Sequence, residues 1–108
     1  IFFIFIFLIF NSFAFAGFEV KTSSGITDGY KKGRVIYWDD IPYAQPPTND
    51  LRWKAPRKII DSEELILPKD KNYCVQRPSS LGGAEGSGDY VGTEDCLYLD
   101  IFAPAKKK

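Results

Sequence analysis

The chain has 108 residues, and its 14 basic and 14 acidic side chains balance to no net charge. It therefore lacks the electrostatic footprint expected of a protein that binds nucleic acid or an anionic membrane surface. It contains no histidine, which excludes a complete Ser-His-acid triad and a histidine-ligated zinc site within these residues.

Residues 1–10 form an unbroken apolar run, interrupted by Asn11 and Ser12 before Phe13-Ala14-Phe15-Ala16. The run falls short of the roughly 20 apolar residues that span a bilayer as a helix. Ala14 and Ala16 give the A-x-A pattern that signal peptidase favours. The expectation is a signal peptide over residues 1–16, cleaved after Ala16, and an exported mature part, secreted or periplasmic. A membrane anchor and a buried strand are the alternatives. No basic residue precedes the run and the chain has no methionine, so it is expected to be a piece of a longer protein. The absence of an N-x-[ST] sequon leans towards a bacterial exported protein.

Residues 18–22 alternate apolar and polar with period two and predict a strand. Ser23-Ser24-Gly25 reads as a turn, residues 26–28 as a short extended piece, and Gly29 as a place to bend. Lys31-Lys32-Gly33 is a second turn before Arg34-Val35-Ile36-Tyr37-Trp38, a β-branched and aromatic strand. These pieces predict a small antiparallel meander. Residues 39–56 hold Pro42, Pro46, Pro47 and Pro56. Each removes a donor and restrains the residue before it, so neither strand nor helix is expected there. Leu65-Ile66-Leu67 predicts one more short strand.

Cys74 and Cys96 are the only cysteines. An even count in an exported chain points to one disulfide, the alternative being two unrelated buried thiols. A bridge would close a loop worth about 3 kcal/mol in the chain-entropy account. Within it, Ser79, Ser80, Gly82, Gly83, Gly86, Ser87 and Gly88 predict a surface Ω-type loop with little regular structure. After Cys96, Leu97, Leu99 and Ile101 point one way and Tyr98, Asp100 and Phe102 the other. Apolar residues on both faces predict a strand buried within a larger sheet, ended by Pro104.

The run Glu94-Asp95-Cys96-Leu97-Tyr98-Leu99-Asp100-Ile101-Phe102-Ala103-Pro104 resembles, at every position, the signature of the type-B carboxylesterase/cholinesterase family around its first disulfide. Residues 22–29 resemble that family's N-terminal hairpin. Ile41-Pro42-Tyr43-Ala44-Gln45-Pro46-Pro47, followed by Leu51-Arg52-Trp53 and Pro56, resembles its proline-rich segment. Two positions depart: Asp40 and Asn49 stand where the family usually has glycine. Asparagine tolerates positive φ, which keeps the turn at Asn49, whereas the sequence alone supplies no reason for Asp40. Asp100 replaces the commoner asparagine.

The resemblance implies an α/β-hydrolase with a nucleophilic serine in a G-x-S-x-G elbow, an oxyanion hole of backbone N–H groups, and an acid and a histidine further on. All of these would lie beyond Lys108, so no residue here is assigned a catalytic role. This segment would supply the edge meander, the first strand of the large sheet and the disulfide loop at the rim of the active-site gorge. The implied activity is hydrolysis of small carboxylic esters by an exported serine carboxylesterase, with no metal or cofactor. The alternative is a non-catalytic binding or adhesion ectodomain of the same family. Arg52 and Glu94 resemble a paired arginine and glutamate, expected as a buried bidentate tie between the proline-rich segment and the disulfide. Asp39, Asp40 and Asp50, separated by prolines, read as solvated turn residues rather than a metal cluster. Cholinesterases hold a quaternary ammonium over an indole from this loop by cation–π attraction. Between Cys74 and Cys96 the only aromatic residue is Tyr90, which favours neutral esters.

Overall fold

The computed structural model describes residues 17–106; residues 1–16, on which the signal-peptide expectation falls, lie outside them. Strands β1 (Phe18–Thr22), β2 (Gly25–Lys32), β3 (Val35–Pro42), β4 (Leu65–Ile66) and β5 (Tyr98–Pro104) form one sheet in the order β1-β2-β3-β5, with β4 also against β2. The expected meander is present as β1, β2 and β3, each antiparallel to the next. Short β4 joins β2 in parallel, pairing Ile26 with Leu65 and Thr27 with Ile66.

Strand β2 is longer than its sequence pattern predicts, because Gly29 changes its partner without breaking it. Up to Gly29 it pairs with β1, and from Tyr30 onward with β3. The Trp38 ring lies on the glycine: a Cβ at Gly29 would come within 2.5 Å of Trp38 Nε1. That indole N–H donates to the Phe18 carbonyl at 2.6 Å, so one side chain ties β3 to β1 across β2.

Strand β3 overturns the expectation that residues 39–56 hold no regular structure. It runs to Pro42 and pairs with β5 from Val35↔Pro104 through Trp38↔Ile101, then again at Ile41↔Leu99 and Pro42↔Tyr98. Between these sections Asp39 and Asp40 share the space opposite Asp100, a β-bulge. Pro42 is tolerated because it is the last residue of the strand. A further 3-10 turn, Asn49–Leu51, opens on Asn49 at φ 50.

Tyr30 stacks on Tyr37 with centroids 5.3 Å apart, and Tyr37 meets Phe102 edge-on at 5.1 Å. This aromatic row crosses three strands on one face, and such cross-strand pairs stabilise a sheet. The buried set among the described residues is small: Gly25, Thr27, Ile41, Ala44 and Ala84. The β5 side chains expected inside a larger sheet are exposed here, Leu99 to 40%, Ile101 to 46% and Phe102 to 62%. Among residues 17–106, Tyr98 and Ala103 of β5 are partly covered, and the residues from Leu99 to Phe102 are left exposed.

Candidate functional site at the disulfide loop

Cys74 and Cys96 are joined by a disulfide with Cα atoms 4.9 Å apart. The loop it closes is ordered at its stem. Gln76 and Val91 exchange both backbone hydrogen bonds, at 2.9 and 2.8 Å, and the Thr93 amide donates to the Tyr73 carbonyl at 3.0 Å. Gly92 sits where these two segments press together. At φ 103, a Cβ there would stand 2.5 Å from the Cys74 carbonyl oxygen and 2.6 Å from that of Tyr73. Only glycine permits that approach. Further out, the Tyr73 hydroxyl donates to the Glu85 carbonyl at 2.6 Å, and Ala84 is buried. Leu81 and Tyr90 of the loop are 94% and 65% exposed, Tyr90 standing next to the stem residue Val91.

Arg52 and Glu94 meet in a two-pronged pair: Nε donates to Oε1 and a terminal nitrogen to Oε2, each at 2.6 Å. The pair is not buried as the sequence reading expects. The two side chains are 48% and 45% exposed, because they bridge two surface segments beside Trp53 with no packed layer over them. The hydrogen bonds from Arg52 hold the Glu94 carboxyl below its usual range, and the same bonds raise Arg52.

A second polar cluster was not legible beforehand. Lys69 Nζ pairs with the Asp95 carboxylate and donates to the Tyr98 hydroxyl at 3.3 Å. The Tyr98 hydroxyl donates to Asp95 Oδ1 at 2.9 Å. Its hydrogen bond to Asp95 raises the Lys69 ammonium, and partial burial raises the Tyr98 phenol. Both groups therefore keep their protons at neutral pH, and neither can act as a base. Asp40 adjoins this cluster at φ 60. Its carboxylate accepts the Lys69 amide at 2.8 Å and the Asn72 side-chain amide. The only signal for this in the sequence is an aspartate at a glycine position, since Asp is among the few residues that tolerate the left-handed region.

Asp39 accepts from the Tyr30 hydroxyl at 2.8 Å, while Asp40 turns to Lys69 and Asn72, so the acidic pair serves separate contacts. Among the described residues no group of three or more side chains could hold a metal ion. Of the serines in the loop, Ser79 Oγ accepts the Leu81 amide at 3.2 Å, and no histidine exists in the chain to activate any of them.

Residues 17–108 match the sequence profile of the Carboxylesterase family. The chain belongs to the carboxylesterase family. It is 37% identical over 89 residues to Neurotactin of Drosophila melanogaster, covering 77% of this chain and 10% of that protein. It is 34% identical over 91 residues to a carboxylic ester hydrolase of Bombus ignitus, covering 80% and 16%. A solved PNB esterase superposes with a TM-score of 0.64 at 32% identity, covering 82% of this chain and 18% of that one. The described sheet is thus part of an α/β-hydrolase fold, and the chain spans well under a quarter of the length of these relatives.

Proposed function

We propose that this chain is the N-terminal part of an exported serine carboxylesterase that hydrolyses neutral carboxylic esters. The serine, acid and histidine would lie beyond Lys108. The observation that carries the reading is the family match over residues 17–108, joined to a strand β5 that is apolar and exposed on both faces. A strand of that kind belongs inside a sheet that further chain completes. In this reading the Cys74–Cys96 loop lies at the rim of the active-site gorge, and the Arg52–Glu94 pair ties the proline-rich segment to the loop's second stem. The family match begins at residue 17, which supports cleavage of residues 1–16 after Ala16. The loop offers Tyr90 and no indole, which supports neutral over choline esters. The similarity to Neurotactin keeps a second reading, a non-catalytic binding ectodomain.

The test is the full-length protein on p-nitrophenyl esters, with a fluorophosphonate probe for an activated serine. Turnover that the probe abolishes, and a mature N-terminus at Gly17, are expected. The absence of both turnover and covalent labelling would overturn the enzyme reading in favour of the binding ectodomain.

A further inference from the structure

We propose that Asp40 is a positioning residue for the disulfide loop: its carboxylate fastens the loop's stem to the bulge of β3, so the sheet as well as the disulfide sets where the loop lies. The functional half of this inference rests on the ester-hydrolase reading above; the anchoring half does not.

The bulge between Trp38 and Ile41 leaves Asp40 out of the β3–β5 ladder. Its own amide is nonetheless satisfied, because it donates to Asp100 Oδ1 at 2.9 Å. The Asp40 carboxylate is therefore free for other work. It accepts from the Lys69 backbone at 2.8 Å and from the Asn72 side chain. These residues lie just ahead of Cys74 in the first stem segment. Lys69 then reaches the second stem through Asp95, the neighbour of Cys96. The bulge residue thus holds the first root of the loop directly, and Lys69, whose backbone it fixes, carries the tie on to the second. A glycine at this position would form the same bulge at no steric cost and would leave the first root without these two bonds. Aspartate accepts a left-handed backbone in return for a carboxylate at that spot.

The prediction is tested in the full-length protein with Asp40→Gly, Asp40→Asn and Asn72→Ala. Two readouts are taken: amide hydrogen exchange over residues 69–76, and KM and kcat on p-nitrophenyl esters of increasing acyl length. In Asp40→Gly the Lys69 amide is expected to exchange about tenfold faster or more. KM should rise about threefold or more for the longer esters with kcat held. Asp40→Asn should fall between, since its carbonyl oxygen can accept from Lys69 while its amide nitrogen cannot accept from Asn72. A merely structural role would lower the melting temperature of all three variants and leave the KM-to-kcat split untouched. Unchanged exchange at Lys69 in Asp40→Gly overturns the anchor. Faster exchange with unchanged KM in an active enzyme overturns the positioning role. A wild-type protein without turnover sinks the ester-hydrolase reading, and the exchange readout still decides the anchor.

Discussion

Asp100 shows how little chemistry a single position needs to fulfil its part. Only one of its carboxylate oxygens is used, accepting the Asp40 amide at 2.9 Å, and an asparagine carbonyl can do the same. Asp100→Asn in the full-length protein is therefore expected to melt with the wild type. Asp100→Ala strands the bulge amide and should cost about 1 kcal/mol, read by urea denaturation; equal losses in both variants would show that the charge matters. The Arg52–Glu94 pair carries a pH signature. Glu94 is held below its ordinary range by hydrogen bonds from Arg52, so the unfolded chain takes up its proton first as pH falls. The pair's contribution is full above the unfolded glutamate value and is lost as pH drops through the lower folded one. Both side chains are about half exposed, and the effect should be small and weakened by salt. Subtracting the stability–pH curve of Glu94→Gln from that of the wild type should isolate this acid limb, and two parallel curves would mean the pair is open in solution.

At the scale of elements, glycines mark the places where two segments could not otherwise meet. Gly92→Ala would put a methyl group 2.5 Å from a backbone oxygen at a φ of 103, and the strained backbone alone costs about 1–3 kcal/mol. The stem should open, with faster exchange at the Gln76, Val91 and Thr93 amides; protected amides in a folded variant would refute the close approach. Gly29→Ala should displace the Trp38 ring and break its bond to Phe18. The meander strands were legible because residues 18–22 and 34–38 show period-two alternation or β-branched density, signals that belong to a strand by itself. The continuation of β3 through Asp39 and Asp40 was hidden, because its prolines argue against a strand and only the partner β5 overrides them. The parallel docking of β4 and the Lys69–Asp95–Tyr98 cluster were hidden for the same physical reason. Apart from the Asp95–Tyr98 bond, those contacts join residues far apart in sequence, and no local periodicity encodes them. The Arg52–Glu94 contact was read from resemblance, but its exposure depends on what packs above it, which composition does not report.

The whole molecule, taken as residues 17–108 alone, has too little interior to hold itself together. Fixing one residue's backbone costs about 1–2 kcal/mol of conformational entropy. Against that stand, among the described residues, three buried apolar side chains, Ile41, Ala44 and Ala84, two of them alanines. The disulfide constrains the unfolded chain by about 3 kcal/mol, but it covers none of the apolar surface. Leu99, Ile101 and Phe102 stay in water, and β5 pairs only with β3 among the described strands. A strand that is apolar on both faces with a free edge invites association with other chains. The isolated piece is therefore expected to bind an apolar-surface dye, to associate at micromolar concentration and to unfold in urea without a sharp midpoint. It should show no esterase turnover above a heat-treated control, since it holds no histidine. A soluble monomer with one steep transition and dispersed NMR peaks would overturn this, because it would mean that the aromatic row of Tyr30, Tyr37 and Phe102, the β3 bulge and the loop anchors suffice as a domain. The exposed face of β5 would then be a surface the protein keeps in water, with no need of further chain to cover it.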